Sequence, residues 1–526
     1  MKKAFLIIFS FLTLISVTSG QKEGLASIDQ NDLKAYMEFF ASDDMAGRET
    51  GTTENDISAM FIKTNLMRLN LIPVPGTGDY LQKIPLFSTS IDRKESGLKI
   101  MDAKGKTIFS TDSVVAIIPP SKTMEVTGNV VFAGYGYENK NSGYNDFDGI
   151  EIKGKIVMIM TRNPESVKAG DGKSVFSEKL ESAKFSSLIL RNPAAILFVY
   201  DPENSFSDAY ESGMADMLGS SSVSLKARQG GGLPFQVVFI TRKTADDLLK
   251  TTGFNLAQMQ KKIAEQGKPV SCEIMDMTAT ARTAINTSEI SAYNVIGIIE
   301  GSDPVLKNEC IVYTAHFDHV GLNAEGEVYN GADDNASGSM ALLEIAEAFI
   351  SVKKRPHRTI VFAWVNGEEK GLLGSRYYTE NPVFPMEQTV VNINLDMVGR
   401  SKMAADTGKF YGFDLDITQP GEINVFTAHE SSELLTIMHA SAKEAGIKVN
   451  DRGANIPYGS SDHASFVARK VPALCFNSGI HSDLHKPGDD VEKIDFDKME
   501  LSSKMCFLIG YKIASQKERL VVDNPK

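Results

Sequence analysis

The chain has 526 residues, of which 42% are hydrophobic and 23% are charged, so it can bury a large core and has the length of more than one domain. Its formal net charge is −12 at pH 7. Nucleic acid is therefore excluded as a partner, because phosphate binding needs a basic surface.

Residues 1–20 have the pattern of a signal peptide. Lys2 and Lys3 precede an apolar run at 4–17, which is shorter than the ~20 residues that span a membrane. Small residues at 18–20 favour cleavage before about Gln21, and no cysteine follows the run as a lipid-anchor site. We expect an exported protein, periplasmic or secreted, with no transmembrane segment in the mature chain.

The pattern of predicted secondary structure changes twice along the mature sequence. Two amphipathic helices are predicted at 32–40 and 55–69, on either side of a turn-rich segment. From about 125 to 277, apolar strands alternate with glycine and aspartate, which predicts an inserted β-rich domain. The insert contains no histidine, so we expect it to shape access and not to catalyse. Strands and helices alternate again to about 516, which predicts a catalytic domain built from 21–124 and 278–516, followed by a tail at 517–526.

All eight histidines follow the insert, and the first begins the most informative stretch of the chain. An apolar run at 309–315 has the pattern of a buried parallel strand and would deliver His316 at its carboxyl end, where open α/β sheets place their chemistry. Asp318 could accept a hydrogen bond from the His316 imidazole. The acidic cluster at 333–335 lies just before a helical segment. It could bind metal, or it could belong to an ordinary strand-to-helix loop that caps the helix.

Three further segments place polar residues directly after apolar strands or in a rigid turn. One strand runs into Glu368 and Glu369, of which one could bind a metal while the other acts as a base. Another strand delivers Asp396, and His485 lies in a proline-containing turn. Taken singly, each residue is as typical of a surface loop or a turn. Taken together, two histidines and three carboxylates complete a ligand set for two divalent ions.

At this point the sequence resembles the co-catalytic zinc aminopeptidases, which share a fold with the glutamate carboxypeptidases. The matching segments, in chain order, are SDDMAGRETGT, NVIGIIEG, HFDHVG, GADDNASG, NGEEKGLLGS, NLDMVG, SSDHASF and HKPGDD. The resemblance implies a three-layer α/β/α zinc-peptidase fold with a mixed, mostly parallel central sheet. The insert resembles the protease-associated domain found inserted in many members.

The resemblance also implies two zinc ions per chain and a role for each site residue. It assigns five metal ligands, with His316 and Asp396 on one ion, Glu369 and His485 on the other, and Asp334 bridging them. Asp333 is the less favoured bridge, because the family's bridging carboxylate lies four residues before the last glycine of GADDNASG. Asp318 would orient His316, and Glu368 would be the general base.

One position departs from the family pattern. Many relatives have a tyrosine immediately before the last histidine ligand, where its hydroxyl can steady the oxyanion, but this chain has Leu484. The candidate substrate or oxyanion contacts are therefore Tyr458, His463 and His481, and His463 could equally be structural. His319 is expected only to pack the loop.

The predicted function is an exported aminopeptidase that acts on peptides with a free N-terminus. Three alternatives share the fold. A single-zinc acyltransferase of the glutaminyl-cyclase kind is disfavoured by the full set of five ligands, and a non-catalytic binding protein is disfavoured because no ligand is missing. A carboxypeptidase would need arginines for the substrate carboxylate, and these are scattered singly in the sequence.

Overall fold

The computed structural model describes residues 21–92, 94–111, 116–118, 122–165, 178–203, 222–225, 235–323, 325–410, 413–427, 430–453 and 461–523. The predicted signal peptide at 1–20 and the candidate Tyr458 lie outside these residues. No helix among the described residues is long and apolar enough to cross a membrane.

The helices in chain order are α1 Gln30–Phe40, α2 Thr53–Arg68, α3 Glu178–Arg191, α4 Arg242–Leu249, α5 Leu256–Gln266, α6 Gly338–Ser351, α7 Leu373–Glu380, α8 Ser432–Ala445, α9 His463–Val467 and α10 Phe496–Ser515. The strands are β1 Leu81–Lys83, β2 Leu86–Ile91, β3 Gly97–Asp102, β4 Thr107–Thr111, β5 Ala116–Ile118, β6 Met124–Phe132, β7 Glu138–Asn139, β8 Tyr144–Asn145, β9 Ile156–Met160, β10 Ala195–Val199, β11 Ser222–Leu225, β12 Gln236–Ile240, β13 Cys272–Thr283, β14 Ile285–Ile290, β15 Tyr293–Ile299, β16 Cys310–His316, β17 Thr359–Val365, β18 Thr389–Leu395, β19 Lys409–Phe410, β20 Phe413–Asp414, β21 Glu422–Thr427, β22 Lys448–Gly453 and β23 Ala473–Asn477.

The chain divides into two compact units, and the first consists of Met1–Pro85 and Ile290–Lys526. Its sheet has the strand order β1-β15-β17-β16-β18-β23-β21-β22. Strands β17, β16, β18 and β23 are parallel to one another, whereas β15 and β21 join this block antiparallel. The predicted mixed, mostly parallel sheet is confirmed.

Helices cover both faces of this sheet, because the central strands are apolar on both sides. Along β16, Ile311, Tyr313 and Ala315 belong to one core, which includes residues of α1, α2, α6 and α10. Cys310 and Val312 belong to a second core on the opposite face. Successive side chains of a strand point to opposite faces of the sheet, so a strand that is apolar and buried on both faces requires a layer of helices on each face. The predicted three-layer α/β/α fold is therefore confirmed.

The two predicted N-terminal helices form, and each begins about two residues before its predicted start. Asp29 caps α1, since its carboxylate accepts the backbone N–H of Asn31, and Thr52 caps α2 by accepting the N–H of Asn55. Short polar side chains at these positions satisfy N–H groups that the first turn leaves unpaired. The caps therefore set the helix starts.

The second unit is Leu86–Glu289, which is wider than the predicted insert at 125–277. Its larger sheet has the order β4-β3-β13-β6-β9-β10-β12-β5. The long strand β13 pairs with β3 on one side and with β6 on the other, and β5 pairs with β12. These pairings, together with those of β2 with β11 and of β4 with β3, bring β2, β3, β4 and β5 into the unit. Its likeness to a protease-associated domain stays a prediction.

Candidate metal centre

The candidate metal centre lies at the carboxyl edge of the parallel strands of the first unit. His316 is the last residue of β16, Glu368 and Glu369 follow β17, and Asp396 directly follows β18. These three strands are neighbours and run parallel, so their carboxyl ends meet at one edge. His485 reaches the same place from the chain after β23.

The Asp334 carboxylate joins two groups of donor atoms. Its Oδ1 lies 3.4 Å from His316 Nε2, and its Oδ2 lies 3.1 Å from His485 Nε2. On the first side, Asp396 Oδ1 is 3.4 Å from His316 Nε2. On the second, Glu369 Oε2 is 3.2 Å from His485 Nε2. All five predicted ligand residues therefore come together, divided between two groups as the resemblance implies, and His319 is an additional member of the Glu369–His485 group.

The two histidines are held among carboxylates that favour a positive charge. Burial lowers the pKa of His316, but the neighbouring Glu368, Asp334 and Asp396 outweigh it and hold the pKa well above its usual value. Burial also opposes the charge of His485, yet Asp334 and Glu369 raise its pKa to about 11. A metal ion would replace these imidazole protons, because a ligating histidine must be neutral.

The ligand carboxylates show the opposite effect. Burial raises the pKa of Asp334, but hydrogen bonds from His316 and His485 outweigh it, so the pKa lies well below its usual range. Burial and the Asp334 charge raise the pKa of Glu369, but His319 and His485 bring it down to about 2. Ionised oxygens and imidazole nitrogens without thiolates are donors that suit zinc. The residues present therefore fit a pair of such ions.

Glu368 differs from its neighbour Glu369 in both position and ionisation. It belongs to neither group of candidate ligands. Burial raises its pKa well above the usual value, and the negative charges of Glu369 and Asp462 add to the effect, although His316 opposes it. A carboxyl group whose pKa is raised is suited to taking up and returning a proton.

The predicted hydrogen bond from His316 to the Asp318 carboxylate is wrong. His316 Nδ1 lies 3.1 Å from the backbone oxygen of Asp318 but 3.9 Å from its carboxylate Oδ1. The carboxylate instead accepts the backbone N–H groups of Glu368 and Glu369, at 3.2 and 3.3 Å, and the Thr50 hydroxyl at 3.0 Å. Asp318 therefore orients His316 through its carbonyl and holds the Glu368–Glu369 turn with its side chain.

Asp333 faces away from both groups of candidate ligands. Its Oδ1 accepts the Gly399 backbone N–H at 2.6 Å, and Asp489 accepts the backbone N–H groups of Asp333 and Asp334 at 3.0 and 3.1 Å. This arrangement leaves Asp334 as the shared carboxylate. The candidate His481 lies on the Asp333 side, with its Nε2 3.6 Å from Asp333 Oδ2, and not among the ligand groups.

His463 is the first residue of α9 and is nearly buried. Burial lowers its pKa to about 4, so the ring is neutral at physiological pH. Its Nδ1 is buried and has no hydrogen-bond partner within the described ranges. Both ring nitrogens of His481 likewise lack a hydrogen-bond partner among the described residues, so His463 and His481 both stay candidate substrate contacts.

Two residues have larger roles than the sequence suggested. His319, expected only to pack the loop, places its Nδ1 2.9 Å from Glu369 Oε1 and 3.7 Å from Asp334 Oδ2. Arg48 is fully buried, and its guanidinium donates to the backbone oxygens of Phe40, Phe317, Asn330 and Gly331. For His319, the sequence signal was its position three residues after His316 in HFDHVG. Arg48 lies in the matching segment SDDMAGRETGT, but its hydrogen-bonding role is not visible there, because three of its four acceptors are carbonyls far along the chain.

Comparison with known proteins agrees with this geometry. Residues 294–509 match the family described as Peptidase family M28. The chain therefore carries an M28 peptidase domain. A probable leucine aminopeptidase of Trichophyton verrucosum is 32% identical over 218 residues, covering 40% of this chain and 55% of the relative. Aminopeptidase YwaD of Bacillus subtilis is 28% identical over 250 residues, covering 46% and 49%. The chain spans about half the length of the curated relatives it matches.

Two solved structures align with nearly the whole length of this chain. The aminopeptidase from Aneurinibacillus sp. strain AM-1 aligns with a TM-score of 0.56 and 19% identity, over 96% of this chain and 98% of its own. BSAP, a zinc aminopeptidase from Bacillus subtilis, aligns with a TM-score of 0.51 and 18% identity, over 95% and 99%. At these identities the likeness concerns the fold alone.

Proposed function

We propose that the chain is an exported metal-dependent aminopeptidase that removes residues from the free N-terminus of peptides, with two zinc ions and with Glu368 as general base. The observation that carries the proposal is the Asp334 carboxylate, whose two oxygens approach different histidines, each beside one further carboxylate. One carboxylate shared between two donor sets is the arrangement that a two-ion site needs. The M28 domain supports the same reaction class.

Five residues would hold the ions, and the chain's other groups would carry the proton. When bound, two divalent ions act as Lewis acids that lower the pKa of water and polarise a carbonyl. Glu368 would take the proton from the attacking water and return it to the leaving amine, a role typically worth ~10²–10⁴ in rate. Asp318 would keep Glu368 in place, since its carboxylate holds the Glu368 backbone N–H.

The proposed direction of cleavage rests on charge. A carboxypeptidase must bind the substrate's α-carboxylate, usually with a bidentate arginine. Arg48 and Arg400 are both fully buried, and their guanidinium groups already bind backbone oxygens or the carboxylates of Asp483 and Asp489. The acidic surroundings favour a substrate ammonium group instead, and the named activities of the relatives agree with that choice.

Metal content and end specificity together test the proposal. The purified protein should bind close to two zinc ions and should hydrolyse an aminoacyl peptide amide but not its N-acetylated twin. A single tightly bound ion under saturating zinc would favour the glutaminyl-cyclase kind of chemistry. Cleavage of both peptides, or release only from a free C-terminal carboxylate, would overturn the aminopeptidase assignment.

Export is tested on the mature N-terminus. We expect the protein recovered from the periplasm or medium to begin near Gln21, because the segment before it has the composition of a cleaved signal peptide. Mass spectrometry of the intact protein measures this directly. An N-terminus at Met1 in a cytosolic fraction would contradict the expectation.

A further inference from the structure

Glu344 is a buried carboxyl group with an unusual lack of partners. It lies on α6 with a side chain that is 0% exposed. Its Oε2 accepts the backbone N–H of Asp29 at 3.2 Å, and its Oε1 has no hydrogen-bond partner among the described residues. Burial, together with the charges of Glu347 and Asp32, raises its pKa to about 8. A buried carboxylate without a cation is costly, so this position calls for a proton or a positive ion.

Two further carboxylates converge on Glu344. Glu347 lies one helical turn further along α6, on the same face, and Asp32 lies in the first turn of α1. One oxygen from each of the three residues lies within 4.8 Å of the others. Glu344 is buried, Glu347 is half-buried and Asp32 is exposed, so the group has a buried end and an end open to solvent.

The charges of this acidic group are only partly balanced. Arg68 forms an ion pair with Glu347, and its Nη2 also lies 3.0 Å from the Tyr36 hydroxyl. The Arg68 guanidinium therefore balances the charge of Glu347. Asp29 adds another negative charge beside Glu344. One arginine therefore faces four carboxyl groups, and Glu344 Oε1 is the oxygen that stays unsatisfied.

We propose that Asp32, Glu344 and Glu347 form a structural calcium site, separate from the catalytic centre and independent of the proposed function. All three protein ligands are carboxylates, without imidazole or thiolate, which favours a hard cation over zinc. Calcium accepts irregular oxygen coordination completed by water, as a half-open site requires. The ion would tie α1 to α6, the helix that starts immediately after the loop carrying Asp334.

Calcium titration of the full-length, zinc-saturated protein tests the site. Isothermal titration calorimetry with calcium chloride up to about 1 mM, which covers the weak affinities of extracellular calcium modules, should show one ion bound per chain. Calcium should also raise the melting temperature. Glu344→Gln keeps an oxygen for the Asp29 N–H but removes the charge, so calcium binding should weaken by about 10-fold or more.

Two variants serve as controls. Asp32→Asn changes an exposed ligand, so the variant should fold normally, and it should weaken calcium binding as Glu344→Gln does. Glu444→Gln removes a carboxylate on α8 that is paired with Lys512 and should leave calcium binding unchanged. If the wild type binds no calcium, or if Glu344→Gln and Asp32→Asn bind it as the wild type does, the site is overturned and Glu344 is a protonated core residue. Aminopeptidase assays are read separately, because neither result depends on them.

Discussion

The metal centre and the Glu344 group use the same kind of residue in opposite electrostatic settings. Asp334 and Glu369 are buried beside histidines. The pKa of Asp334 lies well below its usual range, and the pKa of Glu369 falls to about 2. Glu344 is buried beside other carboxylates, and its pKa rises to about 8. Burial raises the pKa in each case, so the difference comes from the neighbours. A buried acid therefore becomes a charged ligand or a proton-holding group according to the cations placed beside it.

The largest effect is expected where the two donor sets meet. Asp334→Ala removes the only carboxylate that approaches both His316 and His485 among the described contacts. We expect loss of both ions and of measurable peptidase activity, because the remaining donors on each side are too few. Metal analysis and activity on an aminoacyl amide check this. Retention of two ions would show that Asp334 does not bridge them.

Glu368→Gln separates the base from the ligands. The change removes a proton carrier while leaving both donor sets intact, so kcat should fall by ~10²–10⁴ with two ions still bound. Metal analysis shows whether the ions stay, and kcat shows whether the proton transfer is lost. Glu300→Gln, on an exposed residue paired with Lys307, is the matched control. Near-normal turnover in Glu368→Gln would assign the base elsewhere.

His319→Phe tests the partner that lowers the pKa of Glu369. The ring shape is kept, but the Nδ1 that lies 2.9 Å from Glu369 Oε1 is lost. Groups behind a metal ligand are typically worth 10–100-fold in metal affinity, so we expect about that loss for one of the two ions. Excess zinc should restore activity. His439→Phe, on the exposed face of α8, should have no effect, and equal zinc affinity in both variants would make His319 a packing residue only.

The smallest effect concerns stability against pH near Glu344. Its folded-state pKa of about 8 exceeds the ordinary 4.5, so the folded protein holds this proton more tightly. The contribution is complete below pH 4.5 and is lost as the pH rises through 8. The charged or titratable groups facing it are Asp29, Asp32, Tyr36, Glu347 and Arg68.

Thermal unfolding without calcium, measured between pH 5.5 and 8, should therefore show a loss of stability in the wild type that Glu344→Gln lacks. Wild type with saturating calcium should resemble the variant, because the cation replaces the proton. Identical slopes for wild type and variant without calcium would mean that Glu344 titrates normally.

The sequence by itself determined the central strands and the edge at which polar residues follow them. The apolar runs of β16, β17 and β18 mark strands buried on both faces, and polar residues that follow parallel strands share one edge. Local pattern alone therefore places His316, the Glu368–Glu369 pair and Asp396 at that edge. The motif resemblance added which of Asp333 and Asp334 joins the two groups, and which of Glu368 and Glu369 is the ligand.

Only the tertiary structure decided the contacts that depend on distant parts of the chain. The Asp318 carboxylate binds the Glu368–Glu369 turn and not His316, because the backbone oxygen of Asp318 is already the partner of His316 Nδ1. The second unit extends to Leu86 because β2 pairs with β11, and β3 pairs with β13. Glu344 is one of two glutamates in a largely apolar helix, and its acidic surroundings arise only because α1 brings Asp32 close to it. Local pattern fixes which face a residue occupies, but its partners come from elements that folding brings together.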